Sequence, residues 1–291
     1  MNAGPYTLAA PTTESASQPN QQERILSTER KPRTAEINGR LWGARARDWA
    51  DVQEGHFRPV YLAAFDRVGL GPGAAYLDAG CGAGMAAQIA VERGALVTGL
   101  DAAENLLAIA RKRVPNGNFH NGDLESLPFR DHTFDLVTGF NAFQYAGNPN
   151  VALAEAKRVA KPDASVVIMT WGKPEGMEAA SLLAALRPLL PPPPLGAPGP
   201  FALSDESAIR AFATGAGLVP TEVFDVDSPW EYRDLASALN GLKSAGIAVR
   251  AIENSSEEAV DSAHSSALVP FRQSDGSYRI GATFRCLVAC A

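Results

Sequence analysis

The sequence predicts an α/β fold built on a seven-stranded, mostly parallel, doubly wound sheet with helical cap insertions. First, short apolar runs typical of buried strands alternate with helical patterns between residues 75 and 171. Second, glycines cluster at residues 69–73 and 80–84, on either side of the first of these runs. Because parallel strands need crossover connections, this alternation favours a parallel sheet with helices on both faces. A chain of 291 residues, 46% of them hydrophobic, is long enough to bury such a sheet.

The first 36 residues differ in composition from the rest of the chain. They are rich in Ser, Thr, Gln, Asn and Pro and hold few apolar side chains, so burial would not offset the entropy of ordering them. We therefore expect a flexible tail at residues 1–36. In residues 37–67, apolar and aromatic side chains recur at three- and four-residue steps, which predicts one or two amphipathic helices.

Five strands and the helices between them are predicted in the central part of the chain. The strands fall at residues 75–79, 95–101, 118–121, 134–138 and 165–171. The helices fall at residues 85–93, 104–113 and 151–160, and residues 161–163 are expected to form a turn.

The pattern becomes less regular after residue 172. A helix predicted at 177–190 is followed by four prolines at 191–194, which form either a plain linker or a wall of the substrate pocket. A sixth strand at 219–226 and a last strand at 278–289, either continuous or hairpin-like around Gly281, complete the sheet, with helices at 205–214, 232–245 and 257–268. The predicted domain spans residues 37–291, with its core at 70–172, 203–227 and the last strand, and with cap elements at 37–67, 172–203 and 228–270.

The composition excludes several classes of function. The formal net charge is −6 and no run of Lys and Arg is longer than residues 111–113, so we expect no nucleic-acid partner. The three cysteines lack CxxC spacing and the four histidines are scattered, so neither a disulfide framework nor a metal site is predicted. No apolar run is long enough to span a membrane and no signal-peptide pattern is present, so we expect a cytoplasmic protein with no membrane partner. The expected partner is a small-molecule substrate, and the expected state is a monomer or a homodimer.

The glycine cluster belongs to the segment LDAGCGAG at residues 77–84. Glycines at 80, 82 and 84 let the backbone turn sharply and approach a ligand at the end of a strand. The Asp78 carboxylate can accept a hydrogen bond from an ammonium group of that ligand. Asp101 ends the second predicted strand, where a carboxylate can accept hydrogen bonds from both ribose hydroxyls of a nucleoside. A dinucleotide-binding loop has the pattern G-x-G-x-x-G, but Met85 stands where its third glycine would be. The spacing therefore disfavours a dinucleotide.

These motifs resemble those of the class I, Rossmann-like S-adenosylmethionine-dependent methyltransferases, and within them the type 11 group that acts on small molecules. The resemblance covers residues 70–172 well and implies S-adenosyl-L-methionine as the cofactor. It implies cofactor contacts for residues at the ends of the first four strands, namely Asp78, Gly80, Cys81, Gly82, Asp101, Ala102, Asp123, Leu124 and Asn141. By the same resemblance, Asp101 would bind the ribose, Asp123 would meet the adenine amino group and Leu124 would back the ring. Residues 139–145 lack the Asn-Pro-Pro-Tyr pattern of methyltransferases that act on nucleic-acid bases, which favours a small metabolite as acceptor.

The acceptor site is predicted from topology and residue type. Since the strand ends would hold the donor, the acceptor pocket should be roofed by residues 42–61, 177–201 and 232–268. The substrate is expected to contact Tyr145, in the segment where donor and acceptor would meet, and the aromatic residues Trp171 and Tyr232 at the edges of the cap segments. The alternative is that these segments only pack on the sheet or form a dimer contact.

A sulfonium donor is already an activated electrophile, so alignment of the nucleophile and exclusion of water can be sufficient for transfer. His56 is the candidate general base by residue type, and a structurally satisfied histidine is the alternative. Trp42 and Trp49 belong either to the core or to the donor pocket, where an aromatic face attracts a cation. The predicted reaction is methyl transfer to an O, N or C nucleophile of a small metabolite. The alternatives are a relative that binds the same donor but catalyses another reaction such as cyclisation, and a non-catalytic ligand-sensing protein.

Overall fold

A mixed seven-stranded sheet forms the core of residues 33–291, in a computed structural model that describes Met1, residues 33–192 and residues 199–291. The strands are β1 (Ala75–Ala79), β2 (Leu96–Asp101), β3 (Asn118–Asn121), β4 (Phe134–Phe140), β5 (Ala160–Trp171), β6 (Val219–Asp227), β7 (Trp230–Tyr232), β8 (Tyr278–Ile280) and β9 (Thr283–Cys290). The order in the large sheet is β3-β2-β1-β4-β5-β9-β6. Strands β1 to β5 run parallel, and β9 is antiparallel to both β5 and β6. The predicted seven-stranded, mostly parallel sheet is confirmed.

Helices connect and cover these strands. They are α1 (Thr34–Gly43), α2 (Ala46–Asp48), α3 (Arg58–Arg67), α4 (Met85–Glu92), α5 (Glu104–Arg113), α6 (Pro149–Val159), α7 (Ala179–Ala185), α8 (Glu206–Gly215), α9 (Leu235–Lys243), α10 (Gly246–Asn254) and α11 (Glu257–Leu268). Between α2 and α3 the chain forms a π turn (Trp49–Gln53) and a 3-10 turn (Glu54–Phe57). Helix α11 has the predicted bounds because Ser256 caps it, accepting a hydrogen bond from the Ala259 N–H at 3.1 Å.

Alternate residues of the central strands enter separate cores on the two faces of the sheet. Tyr76 and Val167 pack on one face with α3 and α4, whereas Leu77 and Val166 pack on the other with α6 and α8. This alternation follows from the two-residue period of a strand. Each fully buried apolar side chain contributes about 1.5–3 kcal/mol, so both faces hold the sheet in place and fix its strand ends as a scaffold.

Several predicted boundaries differ from the structure at the termini of elements. Helix α1 begins at Thr34, inside the predicted tail, and residues 2–32 of that tail lie outside the described residues, as do prolines 193, 194 and 198. The predicted helix at 177–190 ends at Ala185 and is followed by a 3-10 turn, because Pro188 has no N–H to continue an α-helix. The predicted turn at 161–163 lies within β5, where Asp163 has φ 64° and the register against β4 shifts.

The second half of the cap was predicted incorrectly in one respect. The predicted last strand divides into β8 and β9, and β8 pairs with β7 in a separate two-stranded sheet. The helix expected from residue 232 therefore starts only at Leu235, after Asp234 caps it by accepting from the Ser237 N–H at 2.7 Å. In the described part of the chain, no helix combines the length and apolar character needed to cross a membrane.

Candidate active site

A cleft of about 830 Å³, including the solvent at its mouth, opens where β1, β2 and β4 end. The carboxyl ends of β1 and β2 provide its floor through Gly80, Gly82 and Asp101, and helix α1 and the π turn contribute Trp42 and Trp49 from above. A parallel sheet places its ligand crevice at this edge. The chain therefore brings its glycine loop and its N-terminal cap segment together around one space.

The glycine loop depends on backbone conformations that favour glycine. Gly80, Gly82 and Gly84 have φ values of 82°, 53° and 84°. The N–H of Gly80 donates to Leu100 O at 2.7 Å, so the loop is fixed against the end of β2. A Cβ at Gly80 would lie 2.5 Å from the Cβ of Ala142, so this position admits no side chain without movement of the neighbouring wall.

Asp101 is held by the loop that it faces. Its Oδ2 accepts a hydrogen bond from the Gly82 N–H at 2.9 Å, and its Oδ1 accepts from the Ala103 N–H at 2.8 Å. Burial raises the pKa of this carboxyl, and the backbone hydrogen bonds oppose the rise. Each carboxylate oxygen keeps a second lone pair, so Asp101 can still accept from two hydroxyls of a ligand. Ala102 lines the cleft beside it.

The segment after β3 forms the next part of the floor. Asp123 and Leu124 both line the cleft, and Asp123 Oδ1 accepts from the Glu125 N–H at 3.0 Å. The N–H of Gly122 donates to Asp101 O at 3.1 Å, which ties this segment to β2. The two aspartates predicted to face a nucleoside are thus placed around the same cleft.

Asp78 lies behind the cleft and does not line it. Its Oδ1 accepts from the Thr138 hydroxyl at 3.3 Å, and the Tyr76 hydroxyl donates to Thr138 Oγ1 at 2.7 Å. Its Oδ2 is buried and has no hydrogen-bond partner among the described residues. Burial raises the pKa of Asp78 to about 7, with the Thr138 hydrogen bond opposing the rise and the Glu54 and Asp101 carboxylates adding to it. An unpaired buried carboxylate oxygen is costly, so a cationic ligand group at this point would be stabilised.

The wall after β4 is formed by Asn141 and Tyr145, both of which line the cleft. Asn141 has φ 54°, and its N–H donates to Met169 O at 3.1 Å. The ring of Tyr145 packs edge-on against Trp42 at 5.6 Å, and its backbone oxygen accepts from Asn38 Nδ2 at 2.7 Å. This wall therefore contacts the cap directly.

Three predicted substrate or catalytic residues lie away from the cleft. The Glu231 N–H donates to His56 Nε2 at 3.0 Å, and His56 Nδ1 lies 3.1 Å from Gln53 O. Burial lowers the pKa of His56. Both ring nitrogens therefore have backbone partners, which favours a structural role in fastening β7 to the cap. Tyr232 donates to Gln53 Oε1 at 2.7 Å, and Trp171 packs on Phe284 with ring centroids 5.0 Å apart.

Cys81 also lies off the cleft, and burial raises the pKa of its thiol well above the ordinary value. Its predicted cofactor contact can therefore be made only by its backbone, whose N–H donates to Leu100 O at 3.0 Å. In residues 33–192 and 199–291, no cluster of three or more His, Cys, Asp or Glu side chains is suited to a metal ion.

Within the segment 42–61, which was expected to roof the acceptor pocket, two residues were not singled out from the sequence. The Tyr61 side chain lines the cleft, and its hydroxyl has no hydrogen-bond partner in the described part of the chain. Glu54 is buried beside the glycine loop, accepts from the Met85 N–H at 3.3 Å and forms an ion pair with Arg113. Arg113 also donates to Ala83 O at 2.9 Å. In the sequence, Tyr61 is only one member of a helical pattern of apolar side chains, and Glu54 looks like a solvent-exposed charged residue. Neither residue could therefore be assigned to the cleft or the glycine loop from the sequence.

Comparisons with known proteins agree with this geometry. The model of a family described as "Methyltransferase domain" matches residues 77–168. The chain is 35% identical over 109 residues to the demethylmenaquinone methyltransferase of Renibacterium salmoninarum, covering 38% of this chain and 46% of that protein. It is 33% identical over 170 residues to the malonyl-(acyl-carrier protein) O-methyltransferase of Erwinia pyrifoliae, covering 58% of this chain and 61% of that protein. The chain thus matches about half of the length of these relatives.

Solved structures show the same fold at low sequence identity. The YcgJ protein from Bacillus subtilis has a TM-score of 0.54 and 20% identity, over 79% of this chain and 97% of that one. The cyclase SpnF has a TM-score of 0.52 and 19% identity, over 79% of each chain. The glycine loop, the aspartates at the ends of β2 and β3, and the matching family model lead to one conclusion: residues 77–168 carry a methyltransferase domain of the class I, Rossmann-like, S-adenosylmethionine-dependent kind.

Proposed function

We propose that this protein transfers the methyl group of S-adenosyl-L-methionine to an O, N or C nucleophile of a small metabolite. The observation that carries the proposal is the single cleft in which the glycine loop, Asp101 and Asp123 meet. The methyltransferase names of the two curated relatives support the same reaction class. A net charge of −6 supports a small-molecule acceptor over a polyanion.

The residues at the strand ends fit the donor. Asp101 would accept hydrogen bonds from the ribose hydroxyls, and Asp123 would accept one from the adenine amino group. Leu124 would pack on the adenine ring. The unpaired Oδ2 of Asp78 suits the ammonium of the amino-acid portion. When bound, the donor supplies a methyl group on a positively charged sulfur. The aromatic faces of Trp42 and Trp49 suit a cation at the top of the cleft.

The acceptor half of the cleft favours catalysis by placement. Among the described lining residues there is no histidine and no lysine that could take a proton. Tyr145 and Asn141 would therefore act by orienting the acceptor, and the cap over the cleft would exclude water. A nucleophile that carries a proton would release it to solvent or to the acceptor itself.

A second candidate is a different reaction with the same donor bound, such as cyclisation. It is favoured by one observation, the shared fold of the cyclase SpnF, which shows that the fold does not fix the reaction. Incubation with donor carrying a deuterated methyl group and an acceptor panel of phenols, amines, carboxylates and thioesters separates the candidates. Methyl transfer gives S-adenosylhomocysteine and an acceptor heavier by one labelled methyl group. Conversion of an acceptor without S-adenosylhomocysteine would support the second candidate, and donor binding with neither product would support a sensor.

Asp101→Asn is expected to weaken binding of S-adenosylhomocysteine by about 1–3 kcal/mol, because an amide cannot accept from both backbone N–H groups and both ribose hydroxyls. Isothermal titration calorimetry measures the change. Asp51→Asn is the matched control, since Asp51 is exposed and does not line the cleft. Equal affinities for the two variants would show that Asp101 does not hold the ribose.

Donor affinity is expected to fall as the pH drops below about 7. Burial raises the pKa of Asp78 to about 7 in the free protein, so below that pH the carboxyl is protonated and cannot pair with the ligand ammonium. The dissociation constant of S-adenosylhomocysteine should rise by up to about tenfold per pH unit below 7 and level off above it. Methylthioadenosine, which lacks the ammonium, is the control ligand. An equal pH dependence for both ligands would assign the effect to another group.

A further inference from the structure

We infer that the acceptor is an uncharged aromatic compound with a hydrogen-bond-accepting oxygen, which the Tyr61 hydroxyl binds in the cleft. This inference rests on the proposed function and concerns the half of the cleft that the donor residues leave open. Three observations carry it: an aromatic wall, the absence of a positive charge along the described lining, and the free hydroxyl of Tyr61.

The aromatic wall consists of Trp42, Trp49, Phe57, Tyr61, Phe140 and Tyr145, which all line the cleft. Neighbouring rings support each other: Trp42 meets Trp49 edge-on at 5.1 Å between ring centroids, and Tyr61 meets Phe140 at 4.7 Å. Trp49 and Phe57 lie 5.6 Å apart. Rings packed in this way are already fixed before a ligand enters, so a flat ligand loses little entropy on the protein side. Such a surface favours an aromatic ring over a flexible chain.

The charges around the cleft disfavour an anion. Asp101 and Asp123 line it, and Asp78 and Glu54 lie buried near it. Among the described lining residues there is no Lys, Arg or His to offset a carboxylate or phosphate on the acceptor. Arg113, a cation beside the glycine loop, is already paired with Glu54 and donates to backbone oxygens. Apart from the sulfonium of the donor, an anionic acceptor would therefore lose its hydration and meet only like charge among these residues.

The Tyr61 hydroxyl gives the neutral ligand a polar contact. Tyr61 is 7% exposed and lines the cleft, yet its hydroxyl has no hydrogen bond with any described residue. Two other buried tyrosines have partners within the protein: Tyr76 pairs with Thr138, and Tyr232 with Gln53. Burial, with Glu54 and Asp78 nearby, raises the pKa of Tyr61 well above its ordinary value, so the hydroxyl stays protonated and acts as a donor. The hydroxyl is therefore free to donate a hydrogen bond to a ligand oxygen in the cleft.

The position of Tyr61 places this contact near the transfer point. Its ring packs on Phe140, the last residue of β4, and Asn141 and Tyr145 follow in the wall. The hydroxyl would thus orient an acceptor oxygen at the strand end where donor and acceptor are expected to meet. Tyr61 is on this account a residue of the acceptor site that contacts the substrate directly.

The test uses the full chain saturated with S-adenosylhomocysteine, titrated by calorimetry with 2-naphthol, 2-naphthoate and naphthalene. These probes share one ring system and differ in charge and in the oxygen. We expect 2-naphthol to bind at least tenfold more tightly than 2-naphthoate. Tyr61→Phe should weaken 2-naphthol binding about three- to tenfold, the effect of one hydrogen bond, and leave naphthalene and S-adenosylhomocysteine unchanged. Tyr278→Phe is the control, because Tyr278 is also 7% exposed but lies in β8 away from the cleft.

The outcomes separate this inference from the proposed function. Equal or tighter binding of 2-naphthoate would overturn it, as would a Tyr61→Phe variant that loses affinity for S-adenosylhomocysteine instead of for 2-naphthol. Either result leaves donor binding by the wild-type protein, and hence the proposed function, standing. Failure of the wild-type protein to bind S-adenosylhomocysteine at all would contradict the proposed function itself.

Discussion

Arg113→Met is expected to lower the free energy of unfolding by about 3–5 kcal/mol, because it leaves a buried carboxylate without its counter-charge. The Glu54 side chain is 3% exposed and forms an ion pair with Arg113. Burial raises the pKa of Glu54 and the Arg113 charge opposes the rise. The ionised state of Glu54 therefore depends on Arg113. Urea denaturation at pH 7 measures the loss. It should shrink toward acidic pH, since the unpaired Glu54 then takes up a proton.

Two further variants make this result specific to the buried pair. Glu54→Gln combined with Arg113→Met should recover most of the stability, because no uncompensated charge remains. Arg210→Met breaks an exposed pair with Glu206, whose side chains are 38% and 56% exposed, and should cost no more than about 1 kcal/mol. An Arg113→Met variant as stable as Arg210→Met would show that Glu54 does not carry a buried charge.

Gly80→Ala is expected to cost about 2–5 kcal/mol of stability and to weaken donor binding. The left-handed backbone at φ 82° accounts for about 1–2 kcal/mol of this when a Cβ is present. The rest comes from the Cβ itself, which would lie 2.5 Å from the Ala142 Cβ and force the loop or the wall to shift, at about 1–3 kcal/mol. Thermal and urea unfolding measure the stability, and calorimetry with S-adenosylhomocysteine measures the binding.

Gly73→Ala is the matched control for this variant. Gly73 has nearly the same conformation, at φ 79°, but a Cβ there would meet nothing within 4 Å. Only the backbone cost of about 1–2 kcal/mol is expected, with donor affinity unchanged. If the two variants lost the same stability, the contact between the added Cβ and Ala142 would not contribute to the destabilisation of Gly80→Ala.

The donor side of the site could be predicted from sequence because its determinants are local. Gly80, Gly82, Asp101, Asp123 and Leu124 each lie at or just after the end of a strand, and all five line the cleft. The alternation of strand and helix predicts a parallel sheet, and a parallel sheet places its ligand crevice at the carboxyl ends of its strands. The glycine spacing then indicates the ligand class.

The acceptor side could not be predicted in the same way. The helical periodicity of residues 37–67 assumes 3.6 residues per turn, but the π turn at Trp49–Gln53 widens the helix and changes which side chains face the sheet. His56 therefore turns toward Glu231, while Tyr61 faces the cleft. The pairing of β7 with β8 joins segments far apart in the chain, and no local signal specifies it.

The position of β9 has a consequence for the way in which the protein folds. This strand separates β5 from β6, and β6 is hydrogen-bonded within the large sheet to β9. During synthesis on the ribosome, β6 emerges well before β9, because residues 228–282 with three cap helices lie between them. Contacts of such high sequence separation form slowly, since a long loop must close before they stabilise anything. Completion of the sheet is thus a late step of folding, and until then β5 is an open edge and β6 an unpaired strand that other chains can pair with.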